Sequence, residues 1–194
     1  MTTATPTTAA PFAPTKSMTA DEAAQLSTVN RRYELVKGVY VDMSPASAMH
    51  GKVAIRMGVM IGEQVEKHRL GEATAAETGF ILSRNPDTVR AADVGFISTS
   101  RIPPGGVPET GFWPLAPDLA VEVISPTDRP DDIQEKVEDY LAAGTRMVWV
   151  VYPKTKSITV YRSLRDAKIL RRDDTLSGED VLPGFERKVS EIFE

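Results

Sequence analysis

The sequence predicts an α/β fold in which one central β-sheet of mixed strand direction is flanked by helices. Three observations carry this expectation. Apolar strand patterns come in hairpin pairs towards both ends of the chain, further apolar strands lie between them, and two intervening stretches repeat instead at helical spacing. The chain has 194 residues and a mass of 21.2 kDa, which suits one domain. No internal repeat is visible.

Met1 to Lys16 is almost all Thr, Ala and Pro, without a hydrophobic period. It cannot bury enough apolar surface to offset the entropy of ordering, so residues 1–17 are expected to be a disordered tail and residues 18–194 a single folded domain. Thr19 stands before Asp21 and Glu22 as a helix N-cap before an acidic first turn. Tyr33-Glu34-Leu35-Val36 and Val39 to Met43 flank Lys37-Gly38, a two-residue spacing that predicts a β-hairpin, and Ser44-Pro45 ends it. Val53, Met57, Met60, Ile61, Gln64 and Val65 then recur on one side of an amphipathic helix running from His50 to about Leu70. Ala73 to Leu82 and Val89 to Ile97 read as strands around the turn residues Asn85-Pro86-Asp87. Ser98 to Pro117 forms a Pro- and Gly-rich loop, long enough to suggest function or mobility. Asp118 to Ile124 is a strongly apolar strand, and Asp131 to Ala143 a helix with Ile133, Val137, Tyr140 and Leu141 on one face and Gly144 as C-cap. Met147 to Tyr152 and Ser157 to Tyr161 make a second hairpin, and Val189 to Phe193 a closing helix.

Composition excludes several chemistries. The chain has no cysteine, which removes disulfides, thiolate catalysis and iron–sulfur clusters, and its two histidines make an all-protein zinc site improbable. Any catalytic metal should be a hard, oxygen-bound one. No apolar run approaches the ~20 residues of a membrane span, and the N-terminus lacks a signal-peptide pattern, so the expected location is the cytoplasm, away from membranes. The net charge of −4 gives no global sign of a nucleic-acid binder. Its distribution is uneven: Arg146 to Arg172 holds eight basic residues against one acid, while Glu109 to Asp139 holds nine acids against two bases. The basic segment is a candidate phosphate-tracking surface. Alternatively, the two segments pair with each other or across a dimer.

Asp93 is the only charged side chain in the apolar run 91–97, and Glu122 the only one in 119–124. An unpaired carboxylate in such surroundings costs several kcal/mol, so each must be paired, protonated or bound to metal. Two acids on neighbouring strands supply the rigid oxygen ligands of a Mg2+ site. The alternative is that one lies on an exposed strand face or pairs with an arginine such as Arg90. At about 100° per residue, Lys136 falls on the border of its helix's apolar stripe, while Glu135, Glu138 and Asp139 fall on the opposite face. From there Lys136 can aim its ammonium at Glu122, or simply snorkel to solvent. Glu34 interrupts an apolar stretch and is a candidate third carboxylate. His50 lies on the inward face of its helix within reach of a site; a buried structural histidine and an N-terminal cap are the alternatives. His68 reads as a surface residue at a helix C-terminus. Trp113 is expected to pack its own loop down, or else to touch a base or a partner.

Taken in order, Tyr33-Glu34-Leu35-Val36-Lys37-Gly38, Met43-Ser44-Pro45 with His50, Ala92-Asp93-Val94, Ala120 to Pro126 with Glu122, Lys136, Tyr140, Gly144 and Trp149-Val150-Val151 resemble the Uma-two family of restriction-endonuclease-like proteins, within the PD-(D/E)XK nuclease superfamily. The resemblance spans about Arg31 to Phe193. It implies a restriction-endonuclease-like core in which Asp93 and Glu122 bind Mg2+ or Mn2+, the backbone carbonyl of Val123 adds a ligand, and Lys136 orients or deprotonates the attacking water. Glu34 matches the N-terminal acid of the pattern, as a second-metal or orienting group. Two positions depart from the superfamily pattern: Ala92 replaces the proline before the first acid, and Ile124 stands where the motif's own lysine would, so Lys136 must serve from the helix. The implied partner is DNA, the implied assembly a homodimer. Ser44, Ser47 and Ser125 lack the Gly-x-Ser-x-Gly setting of a serine hydrolase, and no phosphate-cradling Gly-x-x-x-x-Gly-Lys-Ser/Thr loop exists. Two rival readings stand: a non-catalytic DNA-binding or regulatory module, and a subunit of a larger assembly with the 98–117 loop and Trp113 as docking arm.

Overall fold

The computed structural model describes residues 17–26 and 33–194. The tail expected over 1–17 therefore lies, apart from Ser17, outside the described residues, as does Arg31 at the start of the resemblance. Helix α1 (Ala20–Leu26) begins with a reciprocal capping box: the Glu22 N–H donates to Thr19 Oγ1, and the Thr19 N–H to Glu22 Oε2. Strands β1 (Tyr33–Val36) and β2 (Val39–Asp42) form the expected hairpin. Its turn holds Lys37 and Gly38 at φ of 50° and 77°, and a Cβ on Gly38 would lie 1.8 Å from Ser17 Oγ.

Helix α2 (Ala48–His68) is N-capped by Ser47, not His50, and strands β3 (Gly71–Ser83) and β4 (Thr88–Ser98) form a long antiparallel pair. Next come β5 (Leu119–Val123), α3 (Pro130–Ala142), β6 (Met147–Tyr152), β7 (Ser157–Ser163) and β8 (Asp166–Leu170). The small β9 (Thr175–Ser177) and β10 (Glu186–Lys188) and helix α4 (Val189–Phe193) close the described chain. Ala143 occupies the C-cap of α3, with Gly144 one residue beyond at φ 93°, the left-handed conformation a glycine takes without a Cβ penalty.

The main sheet has the order β2-β1-β4-β5-β6-β7-β8, with β3 on the other edge of β4. Only β5 and β6 are parallel, joined by a crossover through α3; the other pairs are antiparallel, so the sheet is mixed. Alternation along β5 sends Leu119, Val121 and Val123 into a core with α2 and α4, and Ala120 into a second core under α3. The short strands β8 to β10 go beyond the two hairpins expected from sequence. β8 is an edge strand exposed at 166–169, and β9 and β10 have three residues each, too short for a periodic signal.

The 98–117 loop is not the free arm its composition suggests. It contains a 3-10 turn at Thr99–Arg101, and Trp113, 4% exposed, is stitched to β3 by hydrogen bonds with Gly79 and Ile81. Trp113 packs its own loop down, and the docking-arm reading loses its aromatic anchor. Among the described residues, no helix is long and apolar enough to cross a membrane.

Candidate active site

Strand β4 is paired with β3 along one edge, whereas its other edge is shared. β1 meets it at Val89 and β5 at Val94 to Phe96, leaving residues 90–93 in a fork between them. Backbone donors inside a fold need partners, and two carboxylates supply them here. Glu34 Oε1 accepts from the Ala91 N–H at 3.2 Å, and Asp93 Oδ2 accepts from the Val123 N–H at 2.7 Å. A cleft of about 830 Å3 opens over the fork, walled by the β1–β2 hairpin, the 43–46 segment and the start of α3.

Four sequence-predicted residues meet at its floor. Lys136 Nζ, from α3, lies 2.9 Å from Glu34 Oε1 and 3.2 Å from Glu122 Oε2. Glu122 receives a second donor, the Tyr140 hydroxyl, at 2.9 Å on Oε1. Asp93 is bound through Val123 and through His50, whose Nε2 lies 3.1 Å from Oδ2. Along β5 the Ile124 N–H turns to the Val151 carbonyl and the Val123 N–H to Asp93, so the peptide groups of Val123 face β4. His68, at the end of α2, is exposed and far along the helix from His50.

Arg90 is the residue whose place the sequence did not reveal. Its position in the chain suggests only a partner for Asp93 or Glu122, yet its guanidinium binds Glu34 at 2.9 Å and Asp139 at 2.6 Å. This corrects the expectation that Glu135 and Asp139 lie on the face away from the site. Asp139 holds Arg90, and Glu135 reaches both Arg90 and Lys37. Helical angles locate a residue relative to its own apolar stripe but not the cation a neighbouring strand presents. Arg90 did carry a signal, as a charge inside the apolar run of β4. Tyr140 reads as core from its place on the apolar face, and only the family resemblance singled it out.

The floor holds more acid than base: Glu34, Asp93, Glu122 and Asp139 against Lys136 and Arg90. Burial pushes the Glu122 carboxyl up to about 7; Lys136 pulls it down, and Asp93 and Glu34 push it further up. Burial also acts on Glu34, but Lys136 and Arg90 outweigh it and hold that carboxyl below the usual range. Desolvation disfavours the Lys136 ammonium, yet Glu122 and Glu34 overcome it and keep the lysine charged well above its ordinary range. Burial and the neighbouring Glu122 raise the Tyr140 phenol, so it stays a donor. Among the described residues, no group of three or more His, Asp or Glu side chains is close enough to hold a metal by itself.

Six of the eight basic residues of 146–172 fall into two groups. Arg146 and Arg162 are engaged by Asp180, and Arg146 also lies 3.7 Å from Asp118, so the opposed segments do pair in part. Lys154 and Lys156, in the β6–β7 turn, and Arg171 and Arg172, after β8, are exposed. Strand direction places these four at the end of the sheet where β5 delivers Glu122.

Comparison with known proteins agrees with this architecture. The model of the Uma2 family, described as "Putative restriction endonuclease", matches residues 20–190. Among solved structures, the chain resembles one described as a putative nuclease belonging to DUF820 from Anabaena variabilis. The two are 20% identical, the match covers 91% of this chain and 97% of that one, and the TM-score of 0.78 shows a shared fold. No curated protein matches the chain.

Proposed function

Because the chain belongs to the Uma2 family, within the restriction-endonuclease-like PD-(D/E)XK nuclease superfamily, we propose that its cleft hydrolyses phosphodiester bonds of DNA with a divalent metal, Mg2+ or Mn2+. The observation that carries this reading is the convergence of Asp93, Glu122 and Lys136 in a fork with surplus negative charge.

The donor set fits such a metal. Asp93, Glu122 and the Val123 carbonyl are hard oxygen donors on adjacent strands, and among the described residues no donor reaches Asp93 Oδ1. A Glu122 carboxyl that burial and two neighbouring acids drive towards protonation is one that a dication would return to its charged form. Mg2+ commonly takes only one or two carboxylates and keeps several waters, so a three-residue protein cluster is not required. When bound, the metal lowers the pKa of a water and stabilises the leaving oxygen.

The chain's own residues then divide the remaining work. Lys136, held between Glu34 and Glu122, suits orienting a water or taking its proton and offsetting charge that grows on the phosphate. Glu34 accepts from Ala91, Arg90 and Lys136, which favours an orienting role over that of a second-metal ligand. Tyr140, from the same helix as Lys136, donates to the other Glu122 oxygen. Double-strand cleavage by one site per chain calls for a homodimer, which mass in solution would establish.

The test compares cleavage of plasmid and single-stranded DNA, with Mg2+ or Mn2+, by the parent protein, Glu122→Ala and Lys136→Ala. Metal-dependent cutting that falls by about 10²–10³ or more in both variants supports the proposal. A parent that binds DNA but neither cuts it nor binds metal is the non-catalytic module instead.

A further inference from the structure

His50 is three residues into α2, and nothing in the proposed chemistry uses it. Its environment is nevertheless specific. The His50 side chain is 10% exposed, and its Nε2 lies 3.1 Å from Asp93 Oδ2, the same oxygen that accepts from the Val123 N–H at 2.7 Å. A carboxylate only accepts, so in this pair the Nε2 carries the proton and donates it. The two donors come from different elements, one from a helix beside the sheet and one from the neighbouring strand.

The helix that carries His50 is itself immobilised. Ser47 Oγ accepts from the His50 N–H at 3.2 Å, closing the first turn, and Val53, Met57 and Ile61 of the same helix are buried in the core. The capping role is thus filled by Ser47. With one donor, the Asp93 carboxylate could rotate about its Cβ–Cγ bond and offer either oxygen to the strand. Two donors on Oδ2 restrict that rotation and leave Oδ1 without a donor among the described residues.

We propose that His50 is a positioning residue, which holds Asp93 Oδ2 so that Oδ1 alone faces the cation site. This rests on the reading of Asp93 as a metal ligand. It makes the imidazole an outer partner of the carboxylate and not a ligand. Partners of this kind typically account for about 10–100-fold in metal affinity.

The test is Mn2+ binding to the full chain without nucleic acid, by electron paramagnetic resonance or calorimetry, with thermal melting alongside. Parent, Glu122→Ala, His50→Ala, His50→Gln and His50→Asn would be compared. Glutamine extends an amide donor about as far as Nε2, whereas asparagine is one carbon shorter. Expected is a loss of about 10–100-fold in Mn2+ affinity in His50→Ala and His50→Asn, with affinity close to the parent's in His50→Gln. A purely structural histidine would lower the melting temperature without separating Gln from Asn in affinity. If the parent binds Mn2+, Glu122→Ala loses it and every His50 variant binds as the parent does, the positioning role is overturned while the metal site stands. Should His50→Ala fail to fold, the Gln and Asn pair still decides. A parent that binds no Mn2+ removes the metal reading and this proposal with it.

Discussion

Glu122 shows how a single residue concentrates the chemistry of this site. It is buried, its carboxyl rises to about 7, and both of its oxygens are held by donors from α3. Relative to an unfolded value near 4.5, the folded chain keeps a proton that the unfolded chain releases between these limits. The resulting stabilisation is fully present below about 4.5 and is lost as pH rises through about 7. The stability of the metal-free parent relative to Glu122→Gln should therefore fall between pH 5 and pH 8, by on the order of 2 kcal/mol. Chemical denaturation of the two proteins at both pH values measures this. Mg2+ should restore the parent's stability at pH 8 and leave Glu122→Gln largely unchanged. A parent that gains relative stability towards pH 8 without metal would contradict the burial account.

Among the elements, α3 determines whether Lys136 reaches the site. Ile133, Val137 and Tyr140 bury one face of that helix, and Arg90 of β4 clamps it through Asp139, three residues beyond the lysine. Removing Arg90 leaves Glu34 as a buried charge with one fewer cation, so Arg90→Met should cost about 3–5 kcal/mol, read from urea denaturation. Asp139→Asn keeps the helix and weakens the clamp. It should cost about 1 kcal/mol, with activity falling more than stability because Lys136 loses its register. α1 depends on a different device. Asp87 Oδ2 accepts from the Ala20 N–H at 2.8 Å, and Oδ1 from the Asn85 N–H at 3.1 Å. Desolvation would raise that carboxyl, but these donors and Arg84 outweigh it and hold it below its ordinary 3.8. The stabilisation is present above about 3.8 and lost as pH falls through the lowered folded value. Asp87→Asn should cost about 1–2 kcal/mol at pH 7 and progressively less in acid, seen as melting curves that converge.

At the scale of the molecule, charge is sorted by the direction of the strands. The eight basic residues of 146–172 form one block in sequence, but the sheet sends Lys154, Lys156, Arg171 and Arg172 to the end where β5 delivers Glu122 and spends Arg146 and Arg162 on Asp180. If DNA crosses the cleft onto that end, replacing the four by alanine should reduce the salt dependence of metal-free DNA binding by up to about 0.9 in slope for each phosphate no longer neutralised. Arg162→Ala should leave the slope unchanged. Anisotropy titrations across a salt series distinguish the two; equal slopes for all variants would place the DNA elsewhere.

The longer elements and four charged residues of the site were legible in the chain itself, whereas the short strands β8 to β10 and the places of Arg90 and Tyr140 were not. Glu34, Asp93 and Glu122 stood out because a charge inside an apolar strand is costly and needs a reason, and Lys136 because it borders an apolar helix face. The hairpin turn at Lys37-Gly38 and the cap at Thr19 were legible because they are local, set by a few adjacent residues. Which charges meet was settled by the packing of distant segments. The fork at residues 90–93 exists because β1 and β5 share one edge of β4, a pairing between residues 35 and 89 and between 94 and 121 that no local pattern encodes. Other long-range contacts likewise brought Arg90 to Glu34 and Asp139, set His50 on Asp93, and packed a loop that reads as mobile against β3. Short-range preferences depend on neighbours in the chain, whereas the balance of a buried charge depends on whatever the fold places beside it.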